Sequence, residues 1–235
     1  MPAGATAGGI AVVIDVLRAS TTIATALAHG AAAVRPVAGI EEARGLAAVL
    51  GAGTLLGGER GGVRIPGFDL GNSPLEYTPD RVAGKTIVIT TTNGTAALHA
   101  CREAREILVG ALVNRTAVAD EVRRLAGDSV PVHLVCAGTD GEITAEDVLA
   151  AGAILDAAAA GSVEALDESA REAVAFFRRV ASAVDVQSGL VAEFRRSPGG
   201  SNLVDLGMEA DLPVAAAIDS LAVVPRLDRA SGRLI

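Results

Sequence analysis

Residues 10–16 read IAVVIDV, an apolar run interrupted only by Asp15 near its end. A half-exposed strand would alternate polar with apolar side chains. An unbroken run is the pattern of a strand buried on both faces, as in a parallel sheet. The residues that follow read as a helix over 21–29 closed by Gly30. Strand followed by helix recurs down the chain: strands are predicted at 32–37, 54–58, 86–91, 106–112 and 130–138, with helices at 40–50, 96–104 and 115–126. From Thr144 the pattern is mostly helical, over 144–160, 167–180, 184–196 and 209–217, before a short strand LAVVP (221–225) and a polar tail. Such alternation implies right-handed crossovers and a sheet covered on both faces. The expected fold is therefore α/β, a three-layer α/β/α sandwich around a largely parallel or mixed sheet, with a helical C-terminal portion. At 235 residues one domain is expected, its motif-bearing part at 12–155 and a mainly helical remainder at 156–235. Residues 59–85 form a glycine- and proline-rich passage whose length points to a functional loop.

Composition excludes several classes of function. Hydrophobic residues make up 50% of the chain but aromatics only 2%, so the core must be aliphatic and base stacking has few platforms. A formal net charge of −8 is opposite to the basic footprint of a nucleic-acid binder. An anionic ligand would need local arginines or a bound cation to offset that field. The cysteines Cys101 and Cys136 form no CxxC pair, which suits a reducing compartment. No apolar stretch reaches membrane-spanning length and no basic segment precedes the first apolar run, so a cytoplasmic location without membrane contact is expected.

Four predicted strand ends carry unusual chemistry, and in open α/β sheets ligands sit beyond such ends. The first is Asp15, costly to bury without a partner, followed by Arg18 and the hydroxyls of Ser20, Thr21 and Thr22. Ser20 as a helix cap would account for only one of those hydroxyls. The second is GGERGG (57–62), where Glu59 and Arg60 stand between glycine pairs. Gly61 would let backbone amides approach a ligand, and Arg60 could grip phosphate oxygens in pairs. The third is TTTNGT (90–95): Thr92, Asn93, Gly94 and Thr95 open a helix with amides and hydroxyls suited to an anion. The fourth is Thr139 after the strand of Cys136, followed by Thr144, Glu146 and Asp147. Thr144 with Asp147 matches a capping box, whereas Glu146 has no such role and could share a divalent cation with Asp15.

Other phosphate-handling patterns fail. Gly84-Lys85-Thr86 resembles the end of a Walker loop, but Pro79 stands where its first glycine belongs. A Cys-x5-Arg loop from Cys136 would need arginine at Glu142. Leu17 stands where a haloacid-dehalogenase-type site carries a second aspartate. The three histidines lack metal-ligand spacing, and no GxSxG elbow occurs.

Taken together, VVIDVLRASTTIATAL (12–27), GERGGVRIPGFDLGNSPLEYT (58–78), GKTIVITTTNGTAAL (84–98) and VCAGTDGEITAEDVLAAG (135–152) resemble the 2-phosphosulfolactate phosphatase family. GGSNLVDLGMEADL (199–212) is similar to the family's more variable tail. The resemblance implies Mg²⁺-dependent hydrolysis of 2-phospho-3-sulfolactate to 3-sulfolactate and phosphate, a step towards coenzyme M, on a three-layer α/β/α fold. It also implies a further strand before residue 12, where this chain supplies only MPAGATAGG ahead of its first strand. Residue chemistry and resemblance together assign Asp15, Glu146 and either Asp147 or Glu59 to Mg²⁺. Arg18, Arg60, Ser20–Thr22 and Thr92–Thr95 would hold the oxygens of a small, doubly anionic phosphorylated acid. The nucleophile stays open between an activated water and Asp15. A homodimer is expected. The alternative reading is a non-catalytic sensor of a phosphorylated metabolite, and a third is a metal-free isomerase.

Overall fold

The structure is a computed structural model describing residues 4–127, 129–139, 141–159 and 163–235. The first three residues and position 160, the expected end of one helix, lie outside the described residues. In chain order the strands are β1 (Ile10–Ile14), β2 (Ala33–Pro36), β3 (Thr54–Arg60), β4 (Val63–Arg64), β5 (Thr86–Thr90), β6 (Glu106–Gly110), β7 (Val132–Cys136), β8 (Leu227–Asp228) and β9 (Arg233–Leu234). The helices are α1 (Ala19–Ala28), α2 (Ile40–Leu50), α3 (Pro79–Val82), α4 (Gly94–Ala100), α5 (Arg115–Ala126) and α6 (Ala145–Ala159). They continue with α7 (Glu168–Ala181), α8 (Val186–Arg196), α9 (Pro198–Asp205) and α10 (Asp211–Ala215).

β1 is the middle strand of a parallel trio ordered β6-β1-β7, with Ile14 level with Gly110 and Cys136. All five of its residues are buried, as the unbroken apolar run requires. Ile10, Val12 and Ile14 face the aliphatic cluster built with α5, α6 and α8, while Ala11 and Val13 face α1 and α4. The second sheet runs β4-β3-β5-β2-β9-β8 and is mixed, because β3, β5 and β2 are parallel but β4, β9 and β8 are antiparallel. The fold is thus a mixed α/β one, with helices flanking both sheets and a helical C-terminal region.

Two expectations at the C-terminus are corrected. LAVVP (221–225) joins no strand ladder; Leu221 and Val223 pack against Ala24, Ala111 and Val113 instead. The supposed polar tail forms the β8–β9 hairpin, which links the two sheets. Leu234 pairs with Val34 of β2, and Arg226 bridges Leu108 of β6. Its polarity misled because only Leu227 and Leu234 face inward, too few for a periodic signal. An unexpected helix, α9, begins at Pro198, with Ser197 accepting from the Gly200 amide as its cap. The passage 59–85 is ordered by turns, β4 and α3 rather than being one open loop.

Leu234 is fully buried and Ile235 is 54% exposed, which provides a matched test of the hairpin. Leu234→Ala should lower unfolding free energy by about 2–4 kcal/mol in urea titrations, whereas Ile235→Ala should change it by less than about 0.5 kcal/mol. Equal, small effects would mean that the hairpin does not dock between the sheets in solution.

Candidate active site

The ends of β1, β3, β5 and β7 open onto one cavity of about 280 Å³. Asp15, Glu59, Thr92 and Thr139 line it from those ends. Arg18, Gly61, Gly62 and Asn93 add to the same wall. Asn72 and two residues of α9, Gly199 and Asn202, complete the lining.

Asp15 sits where β1 turns into α1. One carboxylate oxygen accepts from the Ala19 amide at 3.1 Å, and its own N–H donates to Ser20 Oγ at 2.9 Å. The second oxygen faces Gly94, where a Cβ would lie 2.6 Å from it and 2.6 Å from Ala19 Cβ. Glycine at 94 is therefore what allows α4 to approach Asp15. Burial raises the Asp15 pKa from 3.8 to about 7; the Ala19 amide and Arg18 pull it down, while the charges of Glu59 and Glu146 push it up.

The acidic neighbours differ in what they hold. Asp147 gives one oxygen to the Val16 amide at 2.8 Å and the other to the Gly138 amide at 2.9 Å. It ties α6 to the ends of β1 and β7, a stronger role than the capping box expected with Thr144, whose hydroxyl has no partner among the described residues. Its pKa is pushed well up by burial and by the charge of Asp15, against those two amides. Glu59 accepts from the Thr92 amide and the Gly62 amide, each at 2.7 Å, and so joins β3 and its following turn to β5. Glu146 is 2% exposed and one of its oxygens has no partner among the described residues. It lies behind the cavity wall at Gly199, where a Cβ would come within 2.7 Å of its other oxygen.

Arg18 is buried and ion-paired with Asp211 at 2.8 Å, and it also donates to the Gly62 carbonyl. Ser73 Oγ donates to the other oxygen of Asp211. Arg60 points elsewhere: as the neighbour of Glu59 on a strand it takes the opposite face, where it donates to Thr90 Oγ1 at 3.0 Å. Cys136 is inert, its thiol pushed up to about 12 by burial and by the charges of Asp147 and Glu146.

Most of the hydroxyls have internal partners. Arg18, not Ser20, is the residue preceding α1. Ser20 donates to Val13 O, Thr21 to Val16 O and Thr22 to Asn72 O. Thr91 and Thr95 accept from each other's amides, and Thr92 Oγ1 donates to Glu59. The dense TTTNGT segment therefore positions Glu59 and the start of α4, leaving Thr92 and Asn93 on the cavity wall.

A family model described as 2-phosphosulpholactate phosphatase matches residues 1–230. The chain belongs to that family. It is 42% identical to the "Probable 2-phosphosulfolactate phosphatase" of Carboxydothermus hydrogenoformans over 95% of this chain and 88% of that one. The protein of the same description from Symbiobacterium thermophilum is 45% identical over 95% and 93%. That from Synechococcus sp. strain CC9605 is 46% identical over 92% and 87%. The family is thus named for a phosphoric monoester hydrolase, and the stretches that carry the resemblance supply the cavity. Asp211, Ser73 and Asn202 went unassigned from sequence. Asp211 meets Arg18 across 193 positions, and no local pattern signals such a pair.

The raised Asp15 pKa has a signed consequence. The unfolded chain ionises near 3.8 and the folded chain near 7, so this group's contribution to stability is lost as pH climbs between those values. In EDTA, Asp15→Asn should match wild type near pH 3, below the unfolded pKa, and become more stable than it by up to about 4 kcal/mol at pH 8. Chemical unfolding at both pH values checks this; a difference independent of pH would contradict it.

Proposed function

We propose that this protein hydrolyses the phosphomonoester of a small acid in a Mg²⁺-dependent reaction, with 2-phosphosulfolactate, the compound in the relatives' names, as its substrate. The observation that carries this reading is the pair Asp15 and Glu146. Asp15 at the carboxyl end of β1 and Glu146 in the first turn of α6 are both buried beside a small polar cavity, and among the described residues no cationic side chain pairs with either. Arg18, the nearest guanidinium, is already paired with Asp211.

The donor set fits Mg²⁺. Among the described residues no three metal-ligating side chains converge on one point. Mg²⁺ does not need such a cage, since it is commonly held by one or two carboxylates together with phosphate oxygens and water. Asp15 and Glu146 would hold it, because the oxygens of Asp147 and Glu59 are engaged by backbone amides. When bound, the ion supplies positive charge to the phosphoryl oxygens.

The protein's own groups supply position. Arg18 is held by Asp211 and the Gly62 carbonyl, so its charge enters the cavity in a fixed orientation. Thr92 and Asn93 offer polar groups at the rim, made rigid by Glu59. Asp15 presents the oxygen facing Gly94, while the Ala19 amide holds its other oxygen in place. The low exposure of Asp15, Arg18 and Glu59 keeps bulk water from competing with them.

Phosphate release from 2-phosphosulfolactate and related phosphorylated acids should require Mg²⁺ and stop in EDTA. Asp15→Asn and Glu146→Gln should each lower kcat/KM by about 100-fold or more. Release that survives both EDTA and Asp15→Asn would overturn this mechanism. Tight binding with no release would indicate a metabolite-binding protein instead.

A further inference from the structure

Among the polar side chains that line the cavity, Asn72 is one to which neither the fold nor the proposed chemistry gives work. Asn72 is 4% exposed and lines the cavity, yet its amide oxygen has no hydrogen-bond partner among the described residues. A buried amide left in this way costs stability, so native proteins keep few of them without a ligand-related reason.

Its backbone, by contrast, is anchored on every side. Thr22 Oγ1 donates to the Asn72 carbonyl at 2.7 Å. The preceding Gly71 carbonyl accepts from Tyr77 OH at 2.7 Å and from the Gly58 amide at 3.1 Å. The Gly71 amide donates to Glu76 at 3.0 Å. Tyr77 is itself fully buried, with burial raising its pKa far above the ordinary phenol range, so it stays a neutral donor. This is the construction of a preorganised binding residue: a rigid support holding an unsatisfied side chain at a cavity wall.

The surroundings indicate what it binds. The next residue, Ser73, holds Asp211, and Asp211 holds Arg18, so Asn72 belongs to the guanidinium end of the cavity. Glu146 and Thr139 lie together beside Gly199. 2-Phosphosulfolactate carries a carboxylate and a sulfonate in addition to its phosphate ester. We propose that Asn72 is a specificity-determining residue that donates its amide N–H to a non-phosphate acid group of the substrate, next to Arg18, while the phosphoryl group lies toward Asp15. No protein partner fixes which way round the amide sits, so its NH₂ can face that group after a simple χ2 rotation. This inference rests on the phosphatase reading.

The test is Asn72→Ala in full-length protein. KM for 2-phosphosulfolactate should rise about tenfold or more with kcat within about twofold, because the lost contact is to a part of the substrate that does not react. Inhibition by inorganic phosphate should be unchanged, and thermal stability should be equal or higher, because a buried unsatisfied amide is removed. Phosphorylated lactate, which lacks the sulfonate, and phosphorylated isethionate, which lacks the carboxylate, show which acid group is read: the substrate missing that group becomes insensitive to the substitution. A loss confined to kcat, weakened phosphate inhibition, a clear fall in melting temperature or no change at all would each overturn the proposal. Should wild type bind 2-phosphosulfolactate without turnover, the phosphatase reading fails while calorimetric Kd values for the two proteins still decide the role of Asn72: a rise of about tenfold supports it, equality refutes it.

Discussion

A carboxylate buried at the end of a fully buried strand is the constraint that organises this molecule. Asp15 must leave β1 where Ile14 is level with its two parallel neighbours, and among the described residues no basic side chain pairs with it there. Three further acids crowd the same region, and they are used in two ways. Asp147 and Glu59 convert their charge into ties between elements, because backbone amides satisfy their oxygens. Glu146 has no comparable arrangement, and its unpaired oxygen joins Asp15 as uncompensated negative charge. A structure that only needed stability would replace such a pair by apolar residues. Its retention beside a cavity is the physical basis of the functional reading.

The rest of the fold holds these charges in place. α1 begins against Asp15, α4 approaches it through Gly94, and α6 carries Glu146 and Asp147 in its first turn. The C-terminal region completes the lining. α9 contributes Gly199 and Asn202 to the wall, and α10 supplies the Asp211 that orients Arg18. The β8–β9 hairpin joins the sheet that carries Glu59 and Thr92 to the sheet that carries Asp15. The site is therefore assembled from segments spread over nearly the whole chain.

The fold was legible from sequence because its signals are local. IAVVIDV declared a doubly buried strand, and Arg115–Ala126 declared a helix with the observed bounds. Asp15, Glu59, Thr92 and Thr139 were legible as cavity residues because they follow strands, where α/β ligands bind. The partners of the hydroxyls were not legible. Whether Thr22 donates to a ligand or to Asn72 O, fifty positions away, is decided by tertiary packing. The same holds for Arg60, whose direction follows from strand alternation once Glu59 faces the cavity. The hairpin escaped notice because two inward leucines are too few to register as a strand pattern.

Metal-linked stability separates this explanation from its rivals without any need for turnover. Thermal unfolding of wild type, Asp15→Asn, Glu146→Gln and the double variant would be followed as Mg²⁺ is titrated at pH 8. If the uncompensated pair is a cation site, Mg²⁺ raises the melting temperature of wild type, and each single substitution removes most of that gain. Stabilisation of the same size in the double variant, or none in wild type, would contradict the assignment of Asp15 and Glu146 to the metal.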